Sequence, residues 1–167
     1  MITKRQFLVS GASVLAIVSL GGVLGIGRAV SAKTGETFEV TKSEEEWRKI
    51  LTPEQYSVLR EEGTERAGSS PLNAEKRPGT FNCAGCDLAV YDSKTKFESG
   101  TGWPSFWEEI AGAVGTAEDN TLFMTRTEAH CARCGGHLGH IFDDGPEPTG
   151  LRHCINGVAL AFRPAAV

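Results

Sequence analysis

The chain has 167 residues, of which 40% are apolar and 23% are charged; this composition excludes an intrinsically disordered polymer and leaves room for one ordinary domain. Residues 1–32 contain three basic residues and no acidic one, so residues 33–167 hold 14 basic and 21 acidic residues and carry a formal net charge of −7. Nucleic-acid-binding domains present basic surfaces to phosphates, so this acidity argues against such a function.

The first 32 residues have the three parts of an export signal. Lys4 and Arg5 form a charged start, and residues 8–26 form an apolar stretch that glycines interrupt. A run of small residues ends at Ala32, after which cleavage is expected. We therefore expect residues 1–32 to direct the rest of the chain out of the cytoplasm.

The export route and the fate of this segment stay open at the level of sequence. TKRQFL at residues 3–8 resembles a twin-arginine signal with lysine in place of the first arginine, and general secretion is the alternative. Because about 20 apolar residues can span a bilayer, an uncleaved N-terminal membrane anchor is also open. Either outcome places the folded domain in the periplasm or another extracytoplasmic space, and no further membrane contact is expected.

After a linker at residues 33–42, the domain at residues 43–167 begins with two predicted helices. Ser43 and Glu46 have the spacing of a capping box, which satisfies free backbone amides at a helix start. Thr52 begins a second start signal, with proline at the first helical position. The apolar residues at helical spacing are Trp47, Ile50, Leu51, Tyr56 and Leu59. Both helices are expected to pack on the outside of the domain.

The pattern changes to short β-strands in the second half of the chain. Residues 88–91, 121–124 and 158–162 are short runs rich in apolar residues, and glycine, proline, asparagine and aspartate separate them. The sequence thus predicts a mainly β domain with two or three short peripheral helices.

Four of the five cysteines form two Cys-x-x-Cys pairs, Cys83 with Cys86 and Cys131 with Cys134. Each pair is short enough to direct two sulfur atoms at one point, and two such pairs make a tetrahedral sulfur site. The sequence therefore predicts one structural zinc ion bound by these four residues.

Three other interpretations of these cysteines are open. Disulfides are one, since an extracytoplasmic compartment is oxidising. A second is a Cys₂His₂ site made by Cys131, Cys134, His137 and His140, which would leave the first pair without a metal. A third is a redox-active Cys-x-x-Cys pair, although neither pair lies in a βαβ pattern.

Cys154 is the one cysteine outside the two pairs, and it is the candidate nucleophile. In an extended segment Arg152 lies on the same strand face, and a nearby cation lowers the pKa of a thiol. Asn156 shares that face and offers an amide, whereas His153 points the other way and is expected to be structural or exposed. The alternative is that Cys154 is simply a small buried apolar residue.

Three further motifs give these residues a family context. They are SGTGWPSF at residues 99–106, GHLGHIFDDGP at residues 136–146 and RHCIN at residues 152–156. Together with the two Cys-x-x-Cys pairs, they closely resemble the B-type peptide-methionine sulfoxide reductases over residues 43–164.

The resemblance implies both a fold and an activity. The expected fold is two antiparallel sheets that form an open barrel, with the zinc site away from the active site. The expected activity is reduction of the R epimer of methionine sulfoxide, in oxidised proteins or peptides, to methionine. Cys154 would attack the sulfoxide sulfur and become a sulfenic acid. A monomer is expected.

The resemblance also implies the other site residues. His137 and His140 are the candidates to donate or relay a proton to the sulfoxide oxygen, because imidazole titrates near neutral pH. The expected polar supports are Asp144, Arg152 and Asn156, and the expected substrate-binding aromatic residues are Trp103 and Phe106.

The chain departs from the commonest family pattern at one position. Many members have a second, resolving cysteine where this chain has Thr101. We therefore expect an external thiol donor, a thioredoxin-like or glutaredoxin-like protein or a small thiol, to reduce Cys154. Two rival functions are a non-catalytic zinc-bearing binding module and a related β fold that acts on another small thiol adduct.

Overall fold

A computed structural model of the protein describes residues 36–121 and 125–166. The predicted export segment at residues 1–32 lies outside these ranges, as do residues 122–124 of one predicted strand. Within the ranges, no helix combines the length and the apolar character needed to cross a membrane.

The two predicted helices are present, and both begin at capping boxes. Helix α1 spans Glu44–Ile50 after the N-cap Ser43, and α2 spans Pro53–Glu61 after the N-cap Thr52. In each box the cap side chain accepts a hydrogen bond from the third helical amide, and the third side chain accepts one from the cap amide. Trp47 is buried as the helical spacing suggests, whereas Ile50 is 55% exposed.

The nine strands of the described residues form two antiparallel sheets, as predicted. The three-stranded sheet has the order β2-β1-β9, with bounds Ala89–Asp92, Gly79–Cys83 and Leu160–Pro164. The six-stranded sheet has the order β3-β4-β8-β7-β6-β5, with bounds Lys96–Phe97, Ser105–Phe106, Arg152–Ile155, His137–Phe142, Arg126–Cys131 and Val114–Asp119. Short 3-10 helices span Pro71–Ala74, Ser93–Thr95 and Gly157–Ala159.

Aromatic rings hold the two sheets together. Tyr91 on β2 stacks on Phe106 of β4 at 4.3 Å between ring centroids, and Phe81 on β1 meets Phe106 edge-on at 5.0 Å. All three residues are fully buried. Because aromatic pairs add to the stabilisation that burial itself gives, these contacts fix the packing of the smaller sheet on the larger one.

Two predicted boundaries differ from the observed ones. The run at residues 158–162 was expected to be a strand, but β9 starts only at Leu160 because Gly157–Ala159 forms a 3-10 helix. In the expected linker, the Val40 amide donates to the Arg133 carbonyl oxygen at 3.0 Å, and the Phe38 ring lies edge-on to His130 at 5.7 Å. The described part of that segment therefore packs on the domain.

Candidate active site and metal centre

The four paired cysteines come together from the two sheets. Cys83 ends β1 and Cys86 follows in the next turn, while Cys131 ends β6 and Cys134 lies in the turn to β7. All four Sγ atoms lie within 4.8 Å of one another, and the pairs Cys83–Cys134 and Cys86–Cys131 are 3.7 and 3.4 Å apart. A tetrahedral zinc with ~2.3 Å bonds to sulfur sets its ligands ~3.8 Å apart, so this cluster fits one zinc ion.

The rival arrangements of these cysteines do not match the geometry. The closest of these sulfur contacts, 3.4 Å, is much longer than a disulfide bond, and the five cysteines are free thiols. A Cys₂His₂ site is not formed, because all four sulfur atoms converge and both histidines pair with carboxylates instead. A zinc ion bound by these four residues would link the end of β1 to the β6–β7 turn.

Cys154 lies in the middle of the six-stranded sheet. On β8 it is opposite Ser105 of β4 on one side and His140 of β7 on the other. The thiol is partly buried, and this burial raises its pKa, while hydrogen bonding to Thr101 and the charge of Arg152 act in the opposite direction. The sequence predicted only the lowering by Arg152; in the fold, loss of solvent around the sulfur outweighs it.

Arg152 is held by two neighbours on the same side of the sheet. Its Nε and Nη2 atoms donate to the two carboxylate oxygens of Asp144 at 2.8 and 2.9 Å. Its guanidinium lies over the Phe142 ring, 4.4 Å from the centroid, and Phe142 is paired with Arg152 across β7 and β8. The bidentate bond holds the pKa of Asp144 below its ordinary value and fixes the guanidinium two residues from Cys154.

An irregularity in β7 brings the two predicted histidines together. Residues 137 and 140 would point to opposite faces of a regular strand. The register with β6 shifts between Ala129 and His130, so that β7 has one extra residue at this point. As a result the rings of His137 and His140 are neighbours, with centroids 5.3 Å apart.

Each histidine has an acidic partner that the sequence analysis did not identify. The Nδ1 atom of His137 donates to Glu128 at 2.8 Å, and the Nε2 atom of His140 donates to Asp119 at 2.7 Å. A carboxylate can only accept, so these bonds fix which nitrogen of each ring carries the proton. Burial lowers the pKa of His140, and hydrogen bonding to Asp119 opposes that shift.

The two histidines therefore differ in which nitrogen atom is not bonded to a carboxylate. His137 keeps Nε2 available, and this buried atom has no hydrogen-bond partner within the described residues. His140 uses Nε2 for Asp119 and keeps Nδ1. Asp119 and Glu128 lie on the neighbouring strands β5 and β6, and only the strand register shows which histidine each one meets.

A chain of hydroxyl groups extends from the sulfur of Cys154 into the core. Thr101 Oγ1 is 3.9 Å from Cys154 Sγ and 2.8 Å from Ser99 Oγ, which is 2.7 Å from Ser105 Oγ. The buried Ser105 hydroxyl donates to the carbonyl oxygen of Trp103 at 3.1 Å. A hydroxyl group can both donate and accept, so the three hydroxyl groups connect the Cys154 sulfur to this carbonyl, and Thr101 can donate to the sulfur when Cys154 is a thiolate.

Trp103 and Asn156 meet at a residue that the sequence analysis did not single out. The Trp103 indole Nε1 donates to the carbonyl oxygen of Glu65 at 3.1 Å, and the Glu65 amide donates to Asn156 Oδ1 at 3.0 Å. Asn156 Nδ2 donates to the Leu138 carbonyl oxygen at 3.0 Å. Asn156 lies just beyond β8, and these bonds direct its amide to the backbone, so it supports the site from behind.

Phe106 is the one expected site residue that the fold places elsewhere. Its ring is 0% exposed and packs between Tyr91 and Phe81 in the core. It pairs with His153 of β8, one position away from Cys154, and successive residues of a strand face opposite sides. The sequence placed Phe106 with Trp103 as a substrate contact, but this position gives it a packing role.

The chain is similar to a set of known proteins over this region. Residues 51–164 match the family described as the SelR domain. The chain is 56% identical over 125 residues to the peptide methionine sulfoxide reductase MsrB of Methanosarcina mazei, covering 74% of this chain and 89% of that protein. For the Pseudomonas putida MsrB, identity is 54% over 127 residues, or 75% of this chain and 96% of that protein. The chloroplastic B1 reductase of Arabidopsis thaliana is 47% identical over 148 residues, covering 87% of this chain and 73% of that protein.

Proposed function

Since the chain belongs to the SelR-domain family of B-type peptide methionine sulfoxide reductases, we propose that it reduces the R epimer of methionine sulfoxide through Cys154 and an external thiol. The observation that carries this proposal is the position of Cys154. It is the only cysteine outside the zinc cluster, and its partly buried sulfur lies between strands that bring an arginine, two histidines and a threonine hydroxyl to the same region.

The first step transfers one oxygen atom. The sulfur of Cys154 attacks the sulfoxide sulfur and forms an S–S bond. The oxygen, with one proton, then passes to the Cys154 sulfur, and the S–O and S–S bonds to the substrate sulfur both break, which leaves Cys154 as a sulfenic acid. The substrate sulfur is reduced to the thioether of methionine, and Cys154 is oxidised by the same two electrons. Because burial favours the neutral thiol, Arg152 is the charge that stabilises the attacking thiolate.

The sulfoxide oxygen leaves only after it has been protonated. We assign this proton to His137 and His140, whose adjacent rings offer Nε2 and Nδ1 respectively. Glu128 and Asp119 would hold the two rings in orientation and stabilise their charged forms. The zinc ion, when bound, supplies structural cross-linking and takes no part in this chemistry.

The substrate is held by an apolar contact next to the nucleophile. Trp103 lies two residues from Thr101 and is partly exposed, which leaves part of its ring open to a ligand. We propose that the methyl group of methionine sulfoxide packs on this ring, so that the polar S–O bond faces the histidines.

The second step needs a thiol from outside the chain. Thr101 occupies the position next to Cys154 Sγ, and the other four cysteines form the metal site. One external thiol attacks the sulfenic sulfur and releases water, and a second thiol then breaks the mixed disulfide and restores the Cys154 thiol. The donor would be a thioredoxin-like or glutaredoxin-like protein or a small thiol.

An assay on separated epimers tests this proposal. We expect the protein to reduce the R epimer of peptide methionine sulfoxide, to leave the S epimer unchanged, and to lose activity in Cys154→Ser. Single turnover without a reductant, followed by mass spectrometry, should give one added oxygen on Cys154. Reduction of the S epimer alone, or an intramolecular disulfide involving Cys154, would refute the proposal.

We also propose that the enzyme works outside the cytoplasm, on proteins oxidised there. The support for this is the charged, apolar and small-residue pattern of residues 1–32. Expression of the full chain, followed by cell fractionation and N-terminal sequencing, tests it. An extracytoplasmic protein that begins at residue 33 is the expected result for cleavage, a membrane-bound full chain indicates a retained anchor, and a cytoplasmic full chain contradicts export.

A further inference from the structure

The segment at residues 64–70 touches both halves of the active site. On one side, the amide of Gly68 donates to the Gly102 carbonyl oxygen at 2.7 Å, so that the segment borders the loop with Thr101 and Trp103. On the other side, it lies against the corner that follows β8, where a Cβ atom on Gly157 would collide with the Ser70 side chain. The strand pairing between the two halves ends close by, where Ser105 is opposite Cys154 and the Ile155 amide donates to the Pro104 carbonyl oxygen at 3.0 Å, so this segment adds a second link beyond the last strand contact.

Glu65 makes the link between the two halves through its backbone. Its carbonyl oxygen accepts from the Trp103 indole at 3.1 Å, which fixes the ring that the substrate methyl group would meet. Its amide donates to the side chain of Asn156 at 3.0 Å, two residues after the nucleophile. The backbone of Glu65 thus connects the Trp103 ring to Asn156, which lies just beyond the strand that bears Cys154.

The Glu65 carboxylate fixes that backbone to the corner after β8. Its Oε1 atom accepts from the Gly157 amide at 2.5 Å and its Oε2 atom accepts from the Val158 amide at 3.2 Å. These amides begin the 3-10 helix at Gly157–Ala159 and have no earlier helical carbonyl to bond to. Hydrogen bonds to a charged carboxylate are stronger than neutral ones, so the side chain holds the whole segment in place.

We propose that Glu65 is a positioning residue, which sets the distance between Cys154 and the Trp103 ring on which the substrate methyl group would pack. It does so by holding the loop that contains Trp103 against the corner after β8. The proposal rests on the proposed function of Cys154 and Trp103. Glu65 does not touch the substrate itself; it acts through the indole and through Asn156. Small displacements of a binding group cost large factors in rate because the reacting atoms must meet in one geometry.

Two variants of Glu65 separate positioning from simple folding. Glu65→Ala removes both carboxylate bonds and leaves the Gly157 and Val158 amides without this acceptor. Glu65→Gln keeps one oxygen for Gly157 but presents an NH₂ group to the Val158 amide, so its effect should be intermediate. The matched control is Glu54→Ala. Glu54 and Glu65 both line the cleft between α2, residues 64–72 and the corner after β8, and the Glu54 carboxylate has no hydrogen bond within the described part of the chain.

The first measurement needs no turnover. The protein has three tryptophans, so the Trp103 indole N–H signal can be assigned in a ¹H–¹⁵N spectrum with Trp103→Phe. In the wild type and in Glu54→Ala this proton should exchange slowly with solvent. In Glu65→Ala it should shift and exchange at least ~10-fold faster, because local opening would expose the indole bond.

The second measurement is the split between KM and kcat on the R sulfoxide. We expect Glu65→Ala to raise KM by on the order of 10-fold and to lower kcat/KM by up to about 10²-fold. In Glu65→Ala, the rate at which iodoacetamide alkylates Cys154 should stay within about twofold of the wild-type rate, because the thiol keeps its own neighbours. Glu65→Gln should lie between Glu65→Ala and the wild type in both measurements.

The outcomes distinguish this inference from the proposed function. An unchanged indole signal together with an unchanged KM, in either folded Glu65 variant, overturns the positioning role even if the wild type reduces the R epimer. Should Glu65→Ala fail to fold, Glu65→Gln carries the same two measurements. Failure of the wild type on the R epimer would instead refute the function, while the indole signal would still report whether Glu65 holds Trp103.

Discussion

Two opposing influences meet at the sulfur of Cys154. Burial raises the pKa of the thiol above its ordinary value of 9.0, while the Thr101 hydroxyl and the Arg152 charge favour the thiolate. A thiol that is mostly protonated at neutral pH resists adventitious oxidation, because the thiolate is the form that reacts. The resting enzyme is therefore expected to hold its nucleophile in the less reactive form.

Replacing Arg152 should shift this balance further toward the neutral thiol. In the wild type, the rate of Cys154 alkylation by iodoacetamide should keep rising above pH 9.0. In Arg152→Gln the midpoint of the curve of alkylation rate against pH should move to higher pH, because the guanidinium no longer attracts the thiolate. Asp144→Asn is the opposing control, since the Asp144 charge raises the pKa of Cys154 and its removal should move the midpoint down. Peptide mass spectrometry at each pH measures the alkylation of Cys154 in both variants. A lower midpoint in Arg152→Gln than in the wild type would contradict the role of Arg152 in stabilising the thiolate.

Thr101→Cys should convert the reductase to an intramolecular mechanism. The Thr101 hydroxyl is 3.9 Å from Cys154 Sγ, so a thiol at this position would reach the sulfenic sulfur. After a single turnover, non-reducing peptide mapping should show position 101 cross-linked to Cys154. Thr101→Ser should give no cross-link, and survival of an uncoupled sulfenic acid in Thr101→Cys would show that the two positions cannot meet.

At the scale of elements, strand β7 brings most of the chemistry together. It begins directly after the metal-binding turn, its irregularity brings His137 beside His140, and it pairs with the nucleophile strand through Gly139. A Cβ atom added to Gly139 would collide with the backbone of Cys154 and Ile155. The close approach of β7 and β8 thus depends on glycine at this position.

Gly139→Ala should separate β7 from β8 and displace His140 from Cys154. We expect a loss of about 1–3 kcal/mol in the free energy of unfolding, which is typical of overpacking, and a fall in kcat/KM. The control is Gly85→Ala, since an added Cβ there would meet its nearest atom at an ordinary 3.5 Å. Urea denaturation and the R-sulfoxide assay measure the two effects. Wild-type stability and activity in Gly139→Ala would show that the strands can adjust.

The features that could be predicted from the sequence are those that a few neighbouring residues determine. The capping boxes at Ser43 and Thr52 span four residues each, and each Cys-x-x-Cys pair is complete within four residues. The acid–histidine pairs depend on strand register across 9 and 21 residues, and the Glu65–Asn156 bond spans 91. No periodic pattern reports such pairings, because a register shift of one residue reverses every side chain.

Phe106 also shows that the sequence does not determine the direction of a side chain. Its strand, β4, has two residues, which is too short for alternation to tell the core face from the site face. The family motif placed Phe106 beside Trp103 in sequence, but the stacking on Tyr91 decides which way it points. Motif membership predicted which residues lie near one another in the chain and left the direction of individual side chains open.

At the scale of the whole molecule, the metal site joins the two sheets. One cysteine pair follows β1 of the three-stranded sheet and the other ends β6 of the six-stranded sheet. Between Cys86 and Cys131 runs the chain segment that includes Ser99, Thr101 and Trp103. Bound zinc therefore closes a long loop around part of the active site, which restricts the unfolded chain and stabilises the fold.

Loss of a metal ligand should cost the molecule its stability. The wild type should contain one zinc ion per chain by mass spectrometry of the native protein. Cys86→Ser and Cys131→Ser should each lose it, with a fall of at least ~10 °C in Tm, because zinc binding contributes several kcal/mol to folding. Cys154→Ser is the matched control and should keep both the ion and the wild-type Tm. Zinc retention in Cys131→Ser, or metal loss in Cys154→Ser, would contradict the four-cysteine site.

The separation of the metal-binding thiols from the reacting one gives the enzyme two independent controls. Its architecture depends on the supply of zinc to the four-cysteine site, whereas in the proposed mechanism its turnover depends on the supply of thiol reductant to Cys154. Zinc starvation should lower the amount of folded enzyme and leave the rate per folded molecule unchanged. Exhaustion of the thiol donor should have the converse effect, and the enzyme should then accumulate intact in its oxidised form.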